Sequence, residues 1–371
     1  YSRTLPARAE ARGSESAPAP FRYPARMQPP RKRRWFRILG AFLASIALLA
    51  IAALATAWQL MINMPGVSHR GPLPALTEAQ SELATELKSQ VIRLASDVGK
   101  RSIYHPKELA AAALYLKTEL ASYGYEVRDH SFPSKGAGTP NLEATLPGSD
   151  ATRATEIIVI GAHYDTTQRS PGADDNASGC AGVLALAKRF AGKPQARTIR
   201  FVLFPNEELP TGGTPEMGSW IYAETCKAAG DRIVAMLALE MLGYYSDEPN
   251  SQKYPPPLSA LYPSTGNFIA FVSRFDDRAL VKRCVGAFRE AAAFPSEGAA
   301  LPSVIRDIGR SDHASFWRMG YPALMVTDTA NFRNPNYHKA TDTPETLDYE
   351  RMARVVEGLE AVIRRLSDAG A

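Results

Sequence analysis

The chain has 371 residues, 45% apolar and 22% charged, an ordinary globular balance that supports a substantial core in one large domain or two smaller ones. Its net charge of +5 is unevenly placed: residues 1–37 carry ten Lys/Arg against two Asp/Glu, a local +8, which leaves −3 on the rest. A mildly acidic body behind a basic head argues against a nucleic-acid-binding domain and for a membrane topology.

The head runs straight into an apolar segment. Ile38 to Trp58 is 21 residues without a charge, and as a helix it would cover about 30 Å, enough to cross a bilayer. Arg31, Lys32, Arg33, Arg34 and Arg37 precede it, so this end is expected to stay cytoplasmic, with everything after about residue 60 exported, periplasmic or extracellular. A cleaved signal peptide is the rival, because Ala53, Ala55 and Ala57 offer small-residue cleavage sites. The apolar run exceeds a signal core of about 7–15 residues, which favours an uncleaved anchor. Residues 1–37 read as a basic disordered segment, 38–58 as the transmembrane helix, 59–76 as a linker and 77–371 as the catalytic domain. The chain starts at Tyr1, and Met27, followed by a compact basic-then-apolar arrangement, is a candidate initiator. Cys180, Cys226 and Cys284 are an odd number and define no disulfide framework or CxxC metal motif.

Along the exported part, Thr77 can cap a helix reaching about Val98, and a second helical pattern covers Pro106 to Ser122. Tyr125–Phe132 and Asn141–Leu146 alternate like strands. Glu156–Ala162, Ile199–Phe204 and Ile233–Leu239 are nearly continuous apolar runs, as expected of central strands covered on both faces. Helical patterns at Ala177–Ala191 and Met217–Ala229 lie between them. Then come a strand at Phe268–Val272, a helix near Ala279–Ala293, a strand at Ala323–Thr327 and a closing helix from Tyr349 to about Leu366. This alternation predicts an α/β three-layer sandwich with a mostly parallel mixed central sheet, preceded by one transmembrane helix. Tyr244 to Gly266, with its Pro255-Pro256-Pro257 run, reads as an irregular insertion.

Most chemically capable residues follow a predicted strand, the edge where such sheets gather ligands. They are His163 and Asp165, Asp174-Asp175 in GADDNASG, Glu207-Glu208, Glu240, and Tyr337-His338 before the last helix. Singly, each has a bland reading: a hydrogen-bonded histidine, a turn, a solvated edge. Brought to one sheet edge, several carboxylates would repel each other, and divalent cations are the natural neutraliser. Mixed imidazole and carboxylate donors suit zinc best among the common metals.

The order HxD, GADDNASG, NEE, Glu and YH resembles the M28 family of metallopeptidases, which includes two-zinc aminopeptidases. The resemblance covers roughly Leu83 to Ser367 and extends to Ser311-Asp312-His313 and to the tail from Tyr337 through Thr343-Pro344-Glu345-Thr346-Leu347. It implies a zinc-exopeptidase-like fold, peptide substrates and two Zn2+ ions. His163 and Glu240 would bind the first ion, Glu208 and His338 the second, and Asp175 would bridge them. Glu240 stands where many members carry Asp, and its extra methylene makes the first site the less certain one. The resemblance makes Glu207 the general base, Tyr337 a donor to the oxyanion, Asp165 the carboxylate that orients His163 through its other ring nitrogen, and Asp312 a supporting carboxylate behind the ligands. Arg310 would line the substrate pocket, with a surface ion pair as its alternative. It also implies a cis peptide at Asp175-Asn176. His313, at a helix start, is expected to pack rather than ligate. The alternatives that remain open are a glutaminyl-cyclase-like single-zinc acyltransferase, a carboxypeptidase or amidohydrolase, and a non-catalytic membrane-anchored binding protein of the same fold. Side-chain selectivity is expected in the 244–266 insertion and the loop at 331–336.

Overall fold

The structure, a computed structural model, describes residues 17–20, 32–133, 138–256 and 258–368. The expectations for residues 1–16 and 21–31, Met27 included, and for Pro257 lie outside the described residues. The chain divides into two compact units, 1–54 and 55–371. Helix α1 (Lys32–Met61) makes up most of what is described of the first and runs into the second. Its stretch Trp35–Met61 is long and apolar enough to cross a membrane, and side chains such as Phe42, Leu43 and Leu49 are exposed.

The second unit is built on one eight-stranded sheet. Its strands are β1 (Val127–His130), β2 (Asn141–Leu146), β3 (Glu156–His163), β4 (Thr198–Phe204), β5 (Arg232–Glu240), β6 (Ile269–Arg274), β7 (Ser296–Leu301) and β8 (Ala323–Thr327). They lie side by side in the order β1-β2-β4-β3-β5-β8-β6-β7. β4, β3, β5 and β8 are parallel neighbours, as are β6 and β7, while β1, β2 and the β8–β6 junction pair antiparallel. The apolar runs read from the sequence are these central strands: every residue of β3 is buried.

Helices α2 (Glu78–Ile92), α3 (Pro106–Ser122), α4 (Gly179–Phe190), α6 (Arg278–Ala291) and α8 (Tyr349–Asp368) cover one face around Leu87, Leu116, Leu184, Phe288 and Leu359. On the other face α5 (Gly218–Ala229) and α7 (His313–Arg318) pack through Tyr222 and Phe316 onto Val159, Val202 and Met236. The result is the expected three layers. Thr77 caps α2 as predicted: its hydroxyl accepts from the Gln80 N–H at 3.2 Å, and the Gln80 side chain accepts from the Thr77 N–H at 3.0 Å.

β7 was not anticipated. Ser-Glu-Gly-Ala-Ala-Leu has neither β-branched residues nor alternation, and it becomes a strand by pairing with β6 at the sheet edge. Upstream, Met64 is buried, and the Arg289 guanidinium donates to the carbonyls of Met64, Pro65 and Gly66 at 3.2–3.4 Å. Residues 64–68 therefore lie against α6 and β7. The cysteines are three buried free thiols.

Candidate metal centre

The parallel strands deliver the chemistry at their carboxyl ends. His163 and Glu240 are the last residues of β3 and β5, and Glu207-Glu208 follows β4 by two residues. Asp175 lies in the turn entering α4, and His338 in the loop between β8 and α8. Non-glycine residues in the left-handed region mark these hand-offs: Asn206 (φ 66°), Met241 (φ 56°) and His338 itself (φ 58°). Each costs about 1–2 kcal/mol and turns the chain abruptly so that a ligand residue faces inward. The Asp175-Asn176 peptide is cis.

Two groups of potential ligands form, with donor atoms within 4.8 Å of one another: His163, Asp175 and Glu240, then Asp175, Glu208 and His338. His163 Nε2 lies 3.3 Å from Asp175 Oδ1 and 3.4 Å from Glu240 Oε2. His338 Nε2 lies 3.1 Å from Asp175 Oδ2 and 3.2 Å from Glu208 Oε1. Asp175 thus turns one oxygen toward each imidazole. His163 Nε2, both Asp175 oxygens and Glu208 Oε1 are buried with no hydrogen-bond partner. Buried polar atoms of this kind are costly unless something pairs with them, and two imidazoles with three carboxylates are a donor set that zinc fits.

The electrostatics show the same need. Burial disfavours a charged His163, yet Glu240, Asp165 and Asp175 outweigh it and hold its pKa well above the usual imidazole value. Burial likewise opposes charge on His338, but Asp175 and Glu208 raise it to about 10. Burial and the nearby Asp175 push Glu208 up to about 7, against His338. Without a cation these carboxylates hold protons on the imidazoles, so a metal must displace protons to bind.

Glu207 belongs to neither group. Its Oε2 lies 4.0 Å from His163 Nε2, and burial, reinforced by Glu208, Glu240 and Asp312 and opposed by His163, pushes its carboxyl well above the usual range. Tyr337 stacks on His338 with ring centroids 3.7 Å apart, and its hydroxyl accepts from Arg310 Nη2 at 3.3 Å. Arg310 also donates to Asn331 at 3.2 Å and faces Asp307 at 3.5 Å, so it lies beside the centre and forms the surface ion pair as well.

Asp165 faces His163 Nδ1, the ring nitrogen it was expected to orient, and is also tied to the turn after β4. His163 Nδ1 meets the Asp165 backbone carbonyl at 3.2 Å, with the carboxylate farther away at 3.5 Å. The carboxylate also accepts from the N–H groups of Glu207 and Glu208, both at 3.1 Å. Adjacency of β3 and β4 causes this, by setting the turn after β4 beside the residue two past His163. The Asp312 carboxylate is buried without a hydrogen-bond partner, and burial first, with Glu240 and Asp165 adding and His163 opposing, pushes its pKa up to about 7. The nearby Ser219 hydroxyl is engaged with Ser315 at 3.0 Å. His313 packs as expected: its Nε2 meets Ile308 O at 2.6 Å, and burial lowers its pKa to about 4. His69, His105 and His130 are engaged elsewhere, with Pro72 O, Ser102 and Glu143.

Several further residues support the site; Asn176, Ser311 and Asp342 lie within the motifs read from the sequence but received no role there, and Asn334 and Arg101 lie outside them. The Asp342 carboxylate accepts from the N–H groups of Asp174 and Asp175 at 2.9 and 3.2 Å. Asn334 donates to Asp174 at 2.7 Å, and Ser311 donates to Glu240 Oε2 at 2.6 Å. The Asn176 side chain joins the turn to β5 through Leu239 O at 2.8 Å and Met241 N at 3.1 Å. Arg101, fully buried, donates to the carbonyls of Leu94, Gly99, Tyr164, Pro171 and Gly172 at 2.7–3.0 Å. It secures both ends of the 164–172 loop that separates His163 from Asp175. The sequence order HxD…DD gave the ligands away, whereas backbone carbonyls have no sequence identity that could have announced Arg101.

Beside the centre, a cavity of about 910 Å³, open mouth included, runs from Glu240 and Tyr337 over β8, β6 and β7. Tyr254, Leu258 and Tyr262 of the insertion and Asn331 and Phe332 of the later loop line it, in the two segments where selectivity was expected.

Comparison with known proteins matches residues 141–363 to the model for peptidase family M28. The chain is 36% identical over 283 residues to protein YfbL of Escherichia coli (strain K12), described as uncharacterized, covering 74% of this chain and 85% of that protein. It is 31% identical over 276 residues to a probable leucine aminopeptidase 1 of Trichophyton verrucosum, covering 69% of this chain and 65% of that protein. This chain therefore spans less than two thirds of that relative's length. Among solved structures, an aminopeptidase from Aneurinibacillus sp. strain AM-1 superposes with a TM-score of 0.60 at 17% identity, covering 79% of this chain and 96% of that one. A glutaminyl cyclase from Fimbriiglobus ruber superposes with a TM-score of 0.56 at 20% identity, covering 80% and 98%. At these identities the superpositions show the α/β fold alone. The family match spans more than half the chain, and the chain belongs to peptidase family M28.

Proposed function

We propose that this chain is a zinc-dependent aminopeptidase that removes N-terminal residues from peptides. The observation that carries the reading is the pair of buried, under-satisfied ligand groups joined by Asp175, with Glu207 free beside them. The fold does not choose the reaction, since a glutaminyl cyclase shares it; the two groups of potential ligands favour the hydrolase reading, because a two-ion site suits a metal-activated water.

His163 and Glu240 would hold one ion, Glu208 and His338 the other, and Asp175 both. Zinc bound there would bring the pKa of a coordinated water down to about 7 and polarise the scissile carbonyl. Glu207 takes the proton of the attacking water and returns it to the leaving amine. The Tyr337 hydroxyl donates to the oxyanion that forms, and Arg310 orients it. Ser311 fixes the longer Glu240 side chain by its hydrogen bond, which offsets the freedom of the extra methylene.

The test uses the full chain in detergent, because Met64 belongs to the core and a shorter piece would remove packing. With aminoacyl amide reporters, release of single N-terminal residues is expected, lost on chelation and restored by zinc. Turnover indifferent to chelation would reject the metal-dependent reading, and cyclisation of N-terminal Gln peptides without amide hydrolysis would favour the acyltransferase.

α1 would anchor the protein, with its basic flank cytoplasmic and the second unit outside. Protease added to cells with a permeabilised outer boundary but an intact cytoplasmic membrane is expected to digest the catalytic part. Full protection would place it inside and overturn this topology.

A further inference from the structure

The register of four strands lays a row of side chains across one face of the sheet. Glu240 pairs with Thr327, Thr327 with Ala270, and Ala270 with Glu297. Directly paired residues share a face, and all four line the cavity beside the metal centre. Three strand spacings separate the Cα atoms of Glu240 and Glu297, about 14 Å. The two residues between are small, so the row forms a trough with the ligand Glu240 at one end and a carboxylate at the other. Met325, Val272 and Ala299, two residues along on the same strands, give it an apolar side, and Tyr254 and Tyr262 from the insertion also line it.

Glu297 is the charge in this cavity that lacks a committed partner. It makes no hydrogen bond through its side chain among the described residues, and its ion pair with Arg289 is long, at 3.8 Å. Arg289 instead directs its hydrogen bonds to Ser296 and to the carbonyls of residues 64–66. The other charged residues of the cavity are occupied: Lys253 donates to Asn250 O at 3.0 Å, and Arg310 is tied to Asp307, Asn331 and Tyr337. Burial raises the Glu297 pKa, against Arg289 and Arg70. A cation seated beside the carboxylate would favour its charged form.

We propose that this trough receives the side chain of the N-terminal substrate residue and that Glu297 selects a long, unbranched, cationic one, lysine or arginine. The inference rests on the aminopeptidase reading and adds the substrate class to it. The apolar side takes the methylene stem, and the remaining span suits an extended basic side chain with one hydrogen bond. β-branched residues would not reach the far end, and acidic ones would meet a like charge.

The experiment compares kcat/KM of the zinc-loaded full chain on lysyl, arginyl, norleucyl and glutamyl amides, before and after Glu297→Gln. Norleucine has the lysine stem without the charge, so its turnover reports an intact centre and a folded variant. The native enzyme is expected to prefer lysine over norleucine by about tenfold or more, the worth of one charge-assisted hydrogen bond. Glu297→Gln is expected to erase most of that ratio while holding the norleucine value within about threefold, an isosteric change at a half-buried site. Norleucine turnover with no lysine preference, or a preference unchanged in Glu297→Gln, would overturn the inference and leave the aminopeptidase reading standing. Absence of turnover on every amide would overturn both.

Discussion

Replacing Glu207 by Gln is expected to lower kcat for aminoacyl amides by about 10²–10⁴-fold while the protein keeps its metal. Glu207 is outside both ligand groups, and its backbone N–H, rather than its side chain, makes the structural bond to Asp165. The isosteric amide therefore removes proton acceptance and little else. Glu208 cannot replace it, because that carboxylate faces His338 at 3.2 Å and is itself a potential ligand. Steady-state rates read beside the zinc content of the same samples check this. A kcat within tenfold of the native value, with metal retained, would remove Glu207 from the proton-transfer role.

The second large effect concerns Asp175. Because one of its oxygens faces each imidazole, Asp175→Asn is expected to lose both ions on desalting, whereas Glu240→Ala and Glu208→Ala should each lose one. Metal analysis after desalting separates these outcomes. If Asp175→Asn held one ion tightly, the shared-carboxylate arrangement would be wrong. Removing the ions from the native protein with a chelator is expected to lower Tm by about 5–15 °C, since a ligand at 100–1,000 times its Kd contributes about 3–4 kcal/mol. An unchanged Tm would mean that the buried carboxylates are neutralised by protons alone.

Glu297, with only its long ion pair to Arg289, and the buried Arg101 affect different properties. Arg101 joins elements from residue 94 to residue 172 and holds in shape the loop between His163 and Asp175. Glu297 lies three strands from the metal centre, so changing it should alter selectivity and spare the chemistry. A membrane-attached enzyme with such a pocket would act on peptides whose first residue carries both an apolar stem and a charge.

Local periodicity and motif order determined much of this protein by themselves. Apolar runs long enough for a strand and buried on both sides identified β3, β4 and β5, and the residues just after them supplied His163, Glu207, Glu208 and Glu240. The uncharged run at 38–58 was equally legible, because its length and composition alone mark it, and the helix found there is long and apolar enough to cross a membrane. The family resemblance carried over Asp175, Tyr337 and His338. The tertiary structure alone decided the rest. β7 has no strand pattern of its own and exists because β6 offers it an edge. Asp165, read as the orienting carboxylate of His163, also holds the backbone of the turn after β4, a role set by a parallel neighbour from a distant part of the chain. Arg101, Asp342 and Asn176 bind backbone groups, which look the same at every residue, so their roles could not be read even where, as for Asn176 and Asp342, a motif contained them. The row from Glu240 to Glu297 joins four segments through lateral register. Periodicity tells which face a residue takes but not which distant residue stands beside it.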